Sequence, residues 1–460
     1  MNNEKNGKVG AADAYYIKMT ETPVPRLIVT LGIPTMISML ITNIYNMVDT
    51  YFVGTLGESQ QAATGILFTL QAIIQAVAFM LGQGSGSMVA KALADRNTKE
   101  ASEYVSTAFF TAIGFGTLFS AAGFLSLEPL LRALGSTETI LPYARDYGMW
   151  VLISAPVVIA SFVLNNNLRY EGKAIYAMVG LVTGGIINIL GDYIFVFVLG
   201  MGVFGAGLAT AISQAISFCI LLFFHIKMAQ GDIGISHVAR RAVIYLTICR
   251  IGFPAMIRQG LSSLSNGILN NLTKSYGDAA IAAISVVNRF SAFLMCVGLG
   301  IGQGLQPVAS YNYQAKKYKR VKQALVFTMA AGFVLIGIIS IPSMMFPRQI
   351  VSLFQKSEDV LAIGEFALRM ASFGVLFLSL SVPVNMLFQS IRKPEISSVL
   401  SLLRSGLLMI PTLFITTSLW GLTGIQISQP IADILTGLIS IPFILWFLKS
   451  TPSSDEVSER

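Results

Sequence analysis

The sequence is poor in charged residues, and this scarcity excludes most soluble proteins. Only 12% of its 460 residues are Asp, Glu, Lys or Arg, whereas a soluble globular chain has about 25%. Hydrophobic residues make up 54%, and the mean hydropathy is +0.69. No soluble fold of this length could bury so much apolar surface, so most of the chain must be in lipid. The composition also excludes a disordered chain, a fibrous protein and a soluble nucleic-acid-binding protein, despite a net charge of +8.

Histidine and cysteine are equally scarce. The two histidines, His225 and His237, lie at or beside polar stretches, and the three cysteines lie in apolar runs. An odd number of cysteines in such runs predicts small packing residues rather than disulfides or zinc ligands. Without histidines deep within the apolar stretches, a metalloprotease, a haem protein and a Ser-His hydrolase are disfavoured. Neither a Walker A sequence nor a nucleophile–base pair is found, so we expect no ATP-driven pump, no enzyme and no cofactor.

Twelve apolar stretches are long enough to cross a membrane, because a transmembrane helix needs about 20 mostly apolar residues. The predicted spans are 27–53, 61–90, 104–127, 146–168, 174–199, 205–229, 242–273, 279–310, 323–346, 360–391, 396–419 and 421–448. They predict an all-α polytopic membrane protein. No short apolar segment with a small-residue cleavage site precedes the first span, so we expect no removable signal peptide.

Basic residues predict the orientation of these spans. Most of the 31 Lys and Arg residues fall in the tails and in alternate loops, on one side of the spans. By the positive-inside rule this side is cytoplasmic, so both termini are predicted to be cytoplasmic. The basic run at 316–322 is interpreted as part of the same signal. The predicted organisation is an N-terminal tail (1–26), two six-helix bundles (27–229 and 242–448), a cytoplasmic linker between them (230–241) and a C-terminal tail (449–460).

An internal repeat relates the two halves. An offset of 220 residues aligns Gly32 and Pro34 with Gly252 and Pro254, Gly57 with Gly277, Gly82-Gln83-Gly84 with Gly302-Gln303-Gly304, Asn165 with Asn385, and Lys173 with Lys393. Because each half has six spans, both halves enter the membrane from the same side, and the repeat is parallel. Alternating access in a transporter requires such a duplication, whereas a channel or a receptor does not. The matched prolines are predicted to kink spans 1 and 7, and the glycine motifs to allow close helix packing.

Two acidic residues lie in the outer half of the first six spans, where ionisable side chains are rare and usually functional. At 1.5 Å per residue, Asp49 and Asp192 lie about 33 and 27 Å along helices that start in the cytoplasm. Asn188 shares a helix face with Asp192. Thr210 lies in span 6 at a similar depth in the membrane. Carboxylate, amide and hydroxyl oxygens at one depth suit a proton or a hard cation such as Na⁺. The alternative interpretation is that each Asp is a packed polar group, satisfied by backbone or water.

This acidic chemistry is not repeated in the second half. At the 220-residue offset, Asp49 aligns with Leu269 and Asp192 aligns with Thr412. The acidic pair is therefore predicted to act from the first half alone.

A third acidic residue, Asp433, lies near the membrane midplane in span 12. Buried charges usually find partners, so we expect Asp433 either to contact a cationic substrate or to pair with an arginine inside the membrane. Arg258, just after Pro254, is the predicted partner.

Several of these segments resemble a known family of transporters. Gly32-Ile33-Pro34, Val48-Asp49-Thr50-Tyr51-Phe52-Val53-Gly54, Gly82-Gln83-Gly84, and Asn188 with Asp192 resemble the multidrug and toxic compound extrusion (MATE) transporters. The opening Pro23-Val24-Pro25-Arg26 and the segment Gln429-Pro430-Ile431-Ala432-Asp433 are most similar to the MepA-like bacterial branch. The resemblance extends over nearly the whole chain, from about Pro23 to Leu448.

The resemblance implies a V-shaped pair of six-helix bundles in the cell membrane that exports drugs, dyes and other amphipathic organic cations in exchange for H⁺ or Na⁺. It places the cation-coupling network on Asp49, Asn188, Asp192 and Thr210, with Asn165 as an extension, and we expect Tyr45, Asn46, Arg258 and Asp433 in the substrate cavity. We expect a functional monomer with no obligatory protein partner and a role in antibiotic resistance. The alternative is an exporter or flippase of an endogenous anionic or lipid-linked metabolite, which arginines inside the spans would serve.

Overall fold

The computed structural model describes residues 13–452, and within this range the chain folds into twelve long helices. The predicted tail segments 1–12 and 453–460 lie outside the described residues. The helices are α1 (Val24–Gly54), α2 (Glu58–Ala94), α3 (Thr98–Leu125), α4 (Leu141–Tyr170), α5 (Ala174–Val198), α6 (Gly202–Met228), α7 (Ala242–Thr273), α8 (Asp278–Gln314), α9 (Tyr318–Met345), α10 (Glu358–Val375 and Leu378–Ser390), α11 (Pro394–Trp420) and α12 (Leu422–Ser450). Each predicted span falls on one of these helices.

The length and apolarity of these helices identify a multi-pass membrane protein. Ten of those in the described range are each long and apolar enough to cross a membrane, and α10 is an eleventh if its two segments, bent by 45°, form one span. The helix α7 has the length of a span, about 48 Å at 1.5 Å per residue. It is less apolar because it contains Arg250, Arg258 and several Ser and Asn residues.

Shorter elements complete the chain. Residues 13–21 are helical, so the second part of the predicted N-terminal tail is ordered on the protein. Within it Met19 is buried, and its carbonyl accepts a hydrogen bond from the Arg320 guanidinium at 3.2 Å. Two short helices, Leu127–Ala133 and Pro347–Ser352, follow α3 and α9.

The described residues form two compact units. The first contains residues 13–16 and Ile37–Met256, and the second contains Ile17–Met36 and 257–452. In the first unit α4 packs against α2, α3 and α6, and in the second α8 packs against α9 and α10. The predicted bundles, 27–229 and 242–448, place the first turns of α1 with the N-terminal half and those of α7 with the C-terminal half, whereas the two units do the reverse. The bundle boundaries stay a prediction.

The chain passes between the units at three positions in the described range, and the repeat aligns two of them. These two positions follow Met36 in α1 and Met256 in α7, shortly after Pro34 and Pro254. Proline inside a helix removes one backbone hydrogen bond and crowds the preceding turn. Each proline therefore weakens its helix close to the point where the helix leaves one unit.

The duplicated glycine motifs lie where two helices cross with their backbones in contact. In the second unit, a Cβ at Gly304 would lie 2.8 Å from the Cα atom of Gly32. In the first unit, a Cβ at Gly84 would meet the backbone of α7, and a Cβ at Gly252 would meet the backbone of α2. Only glycine allows two backbones to come so close, as is common between membrane helices.

Two helices contain a π-helical turn beside a charged residue. In α5 the turn Tyr193–Val198 directly follows Asp192, and in α11 the turn Leu403–Leu408 contains Arg404. Such turns are uncommon and frequently occur at functional sites, because they rotate the following side chains relative to a regular helix.

Candidate functional site

Side chains from four helices of the first unit form one hydrogen-bonded cluster. The Tyr147 hydroxyl of α4 donates to Asp49 Oδ2 of α1 at 3.0 Å, and it lies 3.3 Å from the Thr210 hydroxyl of α6. Asn188 Nδ2 of α5 donates to the same Thr210 hydroxyl at 3.2 Å. The structure thus brings together Asp49, Asn188 and Thr210, three of the residues predicted to couple a cation.

The fourth predicted residue, Asp192, lies one helical turn after Asn188. Its side chain is fully buried, and neither carboxylate oxygen has a hydrogen-bond partner in the described part of the chain. Asp49 Oδ1 and Asn188 Oδ1 are likewise buried without a partner there. When both Asp49 and Asp192 are ionised, their negative charges also repel each other. Buried oxygens in this state are costly unless a proton, a cation or water satisfies them.

A small cavity of about 40 Å³, enough for a few water molecules or a cation, adjoins this cluster. Besides Asp49, Tyr147, Asn188 and Thr210, its walls carry further hydroxyl and amide groups from Tyr45, Asn46, Gln71, Gln75 and Gln214. Two of the residues expected in a substrate cavity, Tyr45 and Asn46, therefore line a cavity that contains a carboxylate.

Asn165 lies away from the cluster. Its Nδ2 donates to the carbonyl of Ala177 at 3.1 Å and thereby ties α4 to α5. The repeat-related Asn385 makes the same bond to the carbonyl of Ser397 at 2.9 Å, and so ties the two helices at the corresponding place in the second half. Because the same hydrogen bond from an Asn side chain to a backbone carbonyl occurs in both halves, it fits a structural role that the two residues share. The part of Asn165 in cation coupling stays a prediction.

Asp433 pairs with an arginine, but the predicted partner was wrong. Arg404 Nε donates to Asp433 Oδ1 at 3.0 Å, whereas Arg258 Nη1 donates to Asn385 Oδ1 at 3.2 Å. The helix α11, which carries Arg404, packs directly on α12. The sequence gives the depth of a residue along its helix, but it does not give the neighbouring helix or the rotation about the axis.

The sequence prediction missed Tyr147 and Gln214. Tyr147 lies about 9 Å and Thr210 about 12 Å from the start of a helix that enters from the predicted outer side, so the two hydroxyls share a depth. Gln214 follows Thr210 by one turn on the same face, and its side chain is hydrogen-bonded to Tyr45. Both residues could have been found by comparing the depths of all polar side chains instead of starting from the acids.

Many membrane-spanning helices in a duplicated scaffold, with ionisable side chains buried in them, are typical of a membrane transporter. The MatE family matches residues 34–194 and 254–415. These two matches cover well over half of the chain and start 220 residues apart, at Pro34 and Pro254. The chain therefore belongs to the MatE family, whose members are transporters and not enzymes.

Proteins of known name are similar over nearly the full length of the chain. It is 25% identical to the multidrug export protein MepA of Staphylococcus saprophyticus, over 92% of this chain and 94% of the relative. It is 24% identical to an FAD transporter of Shewanella oneidensis, over 91% and 94%. An outward-facing structure of a multidrug resistance MATE family transporter of the MOP superfamily matches at 23% identity with a TM-score of 0.90, over 95% and 99%. The predicted family and all-α membrane fold are confirmed.

Proposed function

We propose that the protein is a secondary active transporter that exports amphipathic organic cations in exchange for H⁺ or Na⁺. One observation carries this proposal. Asp49 Oδ1, Asn188 Oδ1 and both carboxylate oxygens of Asp192 are buried in the first unit without a hydrogen-bond donor in the described part of the chain, and Asp49 and Asn188 line a polar cavity. The arrangement offers carboxylate, amide and hydroxyl oxygens, which are the ligands that hard cations prefer.

The coupling ion acts by reducing the repulsion between two buried carboxylates. A proton on either Asp49 or Asp192, or Na⁺ held by their oxygens, removes one net negative charge from the cluster. An organic cation near this cluster then loses part of its electrostatic attraction, so ion binding and substrate binding oppose each other. The ion shifts the conformational equilibrium only by its differential affinity for the two states, about 1.4 kcal/mol for each tenfold difference.

Drugs and dyes are the proposed substrates, on the strength of the similarity to the multidrug export protein MepA. The protein is proposed to reside in the cell membrane with both termini in the cytoplasm, because basic residues concentrate in the tails and in alternate loops. It is proposed to work as a monomer without a cofactor, with two six-helix bundles that alternate access to the substrate.

Transport in proteoliposomes tests this proposal. Purified protein is reconstituted, ethidium is supplied, and either a pH gradient or a Na⁺ gradient is imposed in separate experiments. At least one gradient should accelerate ethidium movement against protein-free vesicles, and dissipating that gradient with an ionophore should abolish the acceleration. Equal dye movement with and without protein under both gradients would refute cation export.

The second candidate function is export of an anionic metabolite. It is supported by the similarity to an FAD transporter and by Arg258 and Arg404 inside the membrane helices of the second unit. The same vesicles distinguish the two functions when they are loaded with an anionic dye such as fluorescein. Gradient-driven movement of fluorescein but not of ethidium would favour the anionic substrate.

A further inference from the structure

One arginine inside a membrane span of the second unit has no partner. Arg289 lies about 16 Å along α8 from its first residue, Asp278. Because the hydrocarbon core of a bilayer is about 30 Å thick, this position is close to the middle of the membrane. Arg258, Arg369 and Arg404 also lie inside predicted spans, and each donates a hydrogen bond to another side chain. Arg289 is exposed and makes neither an ion pair nor a hydrogen bond with the residues that the structure describes.

The face of α8 that carries Arg289 is polar at this depth. The opposite face of the helix is buried, and α8 packs against α9 and α10. Ser285 lies one turn before Arg289 on the same side, and Asn288 directly precedes it, and both are half-buried. A helix face in contact with lipid is normally apolar, because polar groups there lose their hydrogen bonds with water. This face is therefore better suited to water than to hydrocarbon.

The preceding helix of the same unit shows a second polar face. In α7, Ser263, Asn266 and Asn270 follow each other at intervals of three and four residues, so they lie along one side of the helix. Both asparagines are exposed. An amide exposed to lipid would leave donors and an acceptor unsatisfied, which is costly. Two consecutive helices of the second unit thus present polar surface within their membrane-spanning length.

The charge of Arg289 strengthens this interpretation. A guanidinium near the bilayer centre is costly, and such groups almost always face the interior of the helix bundle or a water-filled cavity, where they mark substrate and ion pathways. Long basic side chains near the end of a helix avoid the cost by extending to the membrane surface. The distance of about 16 Å from Arg289 to the predicted outer end of α8 is longer than an arginine side chain. Water at Arg289 itself is the remaining way to solvate the charge.

We propose that Arg289 lies in the water-filled pathway of the substrate and limits the positive charge that an exported molecule can carry. Its guanidinium is always ionised, and the only acidic residue of α8 is Asp278, in the first turn. A second positive charge on a substrate is repelled by Arg289, and at 4 Å in bulk water this repulsion changes a rate about fivefold. The inference rests on the proposed export of organic cations and adds a residue that determines their charge.

Chemical labelling tests the position of Arg289 without any transport. The three native cysteines are replaced, and Arg289→Cys is reconstituted into vesicles with a membrane-impermeant methanethiosulfonate on both sides. This reagent reacts with thiolates in water and not with thiols in lipid. Arg289→Cys should be modified. Phe333→Cys, at an exposed position in the apolar part of α9, is the matched control and should stay unmodified.

Two dyes of one ring system test the charge limit. Ethidium carries one positive charge, and propidium carries a second one on its side chain. In proteoliposomes, Arg289→Gln should raise the export rate of propidium relative to that of ethidium by about fivefold or more. Arg289→Lys keeps the charge and should keep the wild-type ratio. Lys274→Gln removes the same charge from the turn between α7 and α8, at the predicted outer surface, and should not change the ratio.

Several results would overturn the proposal. Failure of the reagent to modify Arg289→Cys would remove this residue from the pathway. An unchanged ratio of the two dyes in Arg289→Gln, or an equal change in Lys274→Gln, would show that Arg289 does not select for charge. A protein that exports neither dye would refute cation export, and the charge limit with it. Labelling of Arg289→Cys would in that case still place this position in water, so the two failures are distinguishable.

Discussion

At the scale of single residues, the two buried carboxylates of the first unit differ in their partners. Asp49 accepts a hydrogen bond from Tyr147, whereas Asp192 has no hydrogen-bond partner in the described chain. Leu269, the repeat-related residue of Asp49, is 3% exposed and packs in a hydrophobic core with Leu413. The second half therefore has apolar packing where the first half has a carboxylate. This difference predicts that ion coupling fails only when the first half is changed.

Asp49→Asn and Asp192→Asn should each reduce gradient-driven ethidium export to less than about a tenth of the wild-type rate, a loss of roughly 1.4 kcal/mol or more. Asparagine keeps the shape of the side chain, but it can neither release a proton nor neutralise a cation. The measurement is the initial export rate in proteoliposomes with equal amounts of folded protein. Thr412→Asn, at the repeat-related position of Asp192, is the control and should export normally. An equal loss in the control would contradict the confinement of coupling to the first half.

Tyr147→Phe should lower the export rate several-fold without abolishing it. The substitution removes the hydroxyl that donates to Asp49 and touches Thr210, and a typical intramolecular hydrogen bond contributes about 0.5–1.5 kcal/mol, or a factor of about 2 to 13 in rate. The carboxylate itself remains, so coupling is weakened and not lost. The same proteoliposome rate measures the effect, and Tyr143→Phe, one turn earlier on α4, should behave as the wild type. A rate equal to wild type for Tyr147→Phe would show that this hydroxyl contributes nothing to coupling.

At the scale of helices, the glycine crossings make a prediction about stability. Gly252→Ala places a methyl group against the backbone of α2, which cannot move aside as a flexible side chain can. Overpacking of this kind costs about 1–3 kcal/mol. Gly260→Ala, in the same helix, meets open space and should be neutral or stabilising by up to about 1 kcal/mol, since alanine is the better helix former. Thermal unfolding in detergent should therefore show a lower midpoint for Gly252→Ala only, and equal midpoints would contradict the close crossing.

The sequence predicted the existence of every long helix, but it predicted their ends less well. Hydropathy reports the thickness of the lipid, so polar helical turns outside the lipid are missed. For this reason α3 begins at Thr98 and not near 104, and α4 begins at Leu141 and not near 146. The bend of 45° in α10 and the π-helical turns of α5 and α11 were also not predicted. They depend on packing with neighbouring helices, which the local sequence does not encode.

The sequence predicted those residues of the candidate site that share a depth along their helices. It missed the contacts that depend on which helices lie next to each other. Asp49, Asn188 and Thr210 were grouped by their depth, and the structure places them in one cluster. The partner of Asp433 and the contribution of Tyr147 depend on which helices are adjacent. A single sequence gives the depth of each residue along its helix, but it contains little information on which helices are adjacent.

At the scale of the whole molecule, one scaffold carries different chemistry in its two halves. The repeat preserves the prolines where α1 and α7 leave a unit, the glycine crossings and the amide ties of Asn165 and Asn385. It does not preserve charge, because buried carboxylates occupy the first half and arginines lie within helices of the second. The two halves thus share one scaffold and differ in the charged side chains buried in it.

This division predicts which half responds to the coupling ion. Neutralising the Asp49 and Asp192 cluster removes repulsion at the outer part of α1, and α1 has its weak point at Pro34. We therefore expect H⁺ or Na⁺ to move the outer part of α1 relative to the rest of the first unit. Spin labels at the exposed positions Tyr51 and Leu125, at the predicted outer ends of α1 and α3, report this movement by distance measurement.

The repeat supplies a matched control for that measurement. Asn271 and Met345 are also exposed, and they occupy the corresponding positions of α7 and α9 in the second unit. With the three native cysteines replaced, a pH or Na⁺ series should shift the Tyr51–Leu125 distance and leave the Asn271–Met345 distance unchanged. The shift should disappear in Asp49→Asn, because the ion acts only through its differential affinity for the two states. A shift that survives in this variant, or one that occurs only in the second unit, would place the ion-sensitive element outside α1.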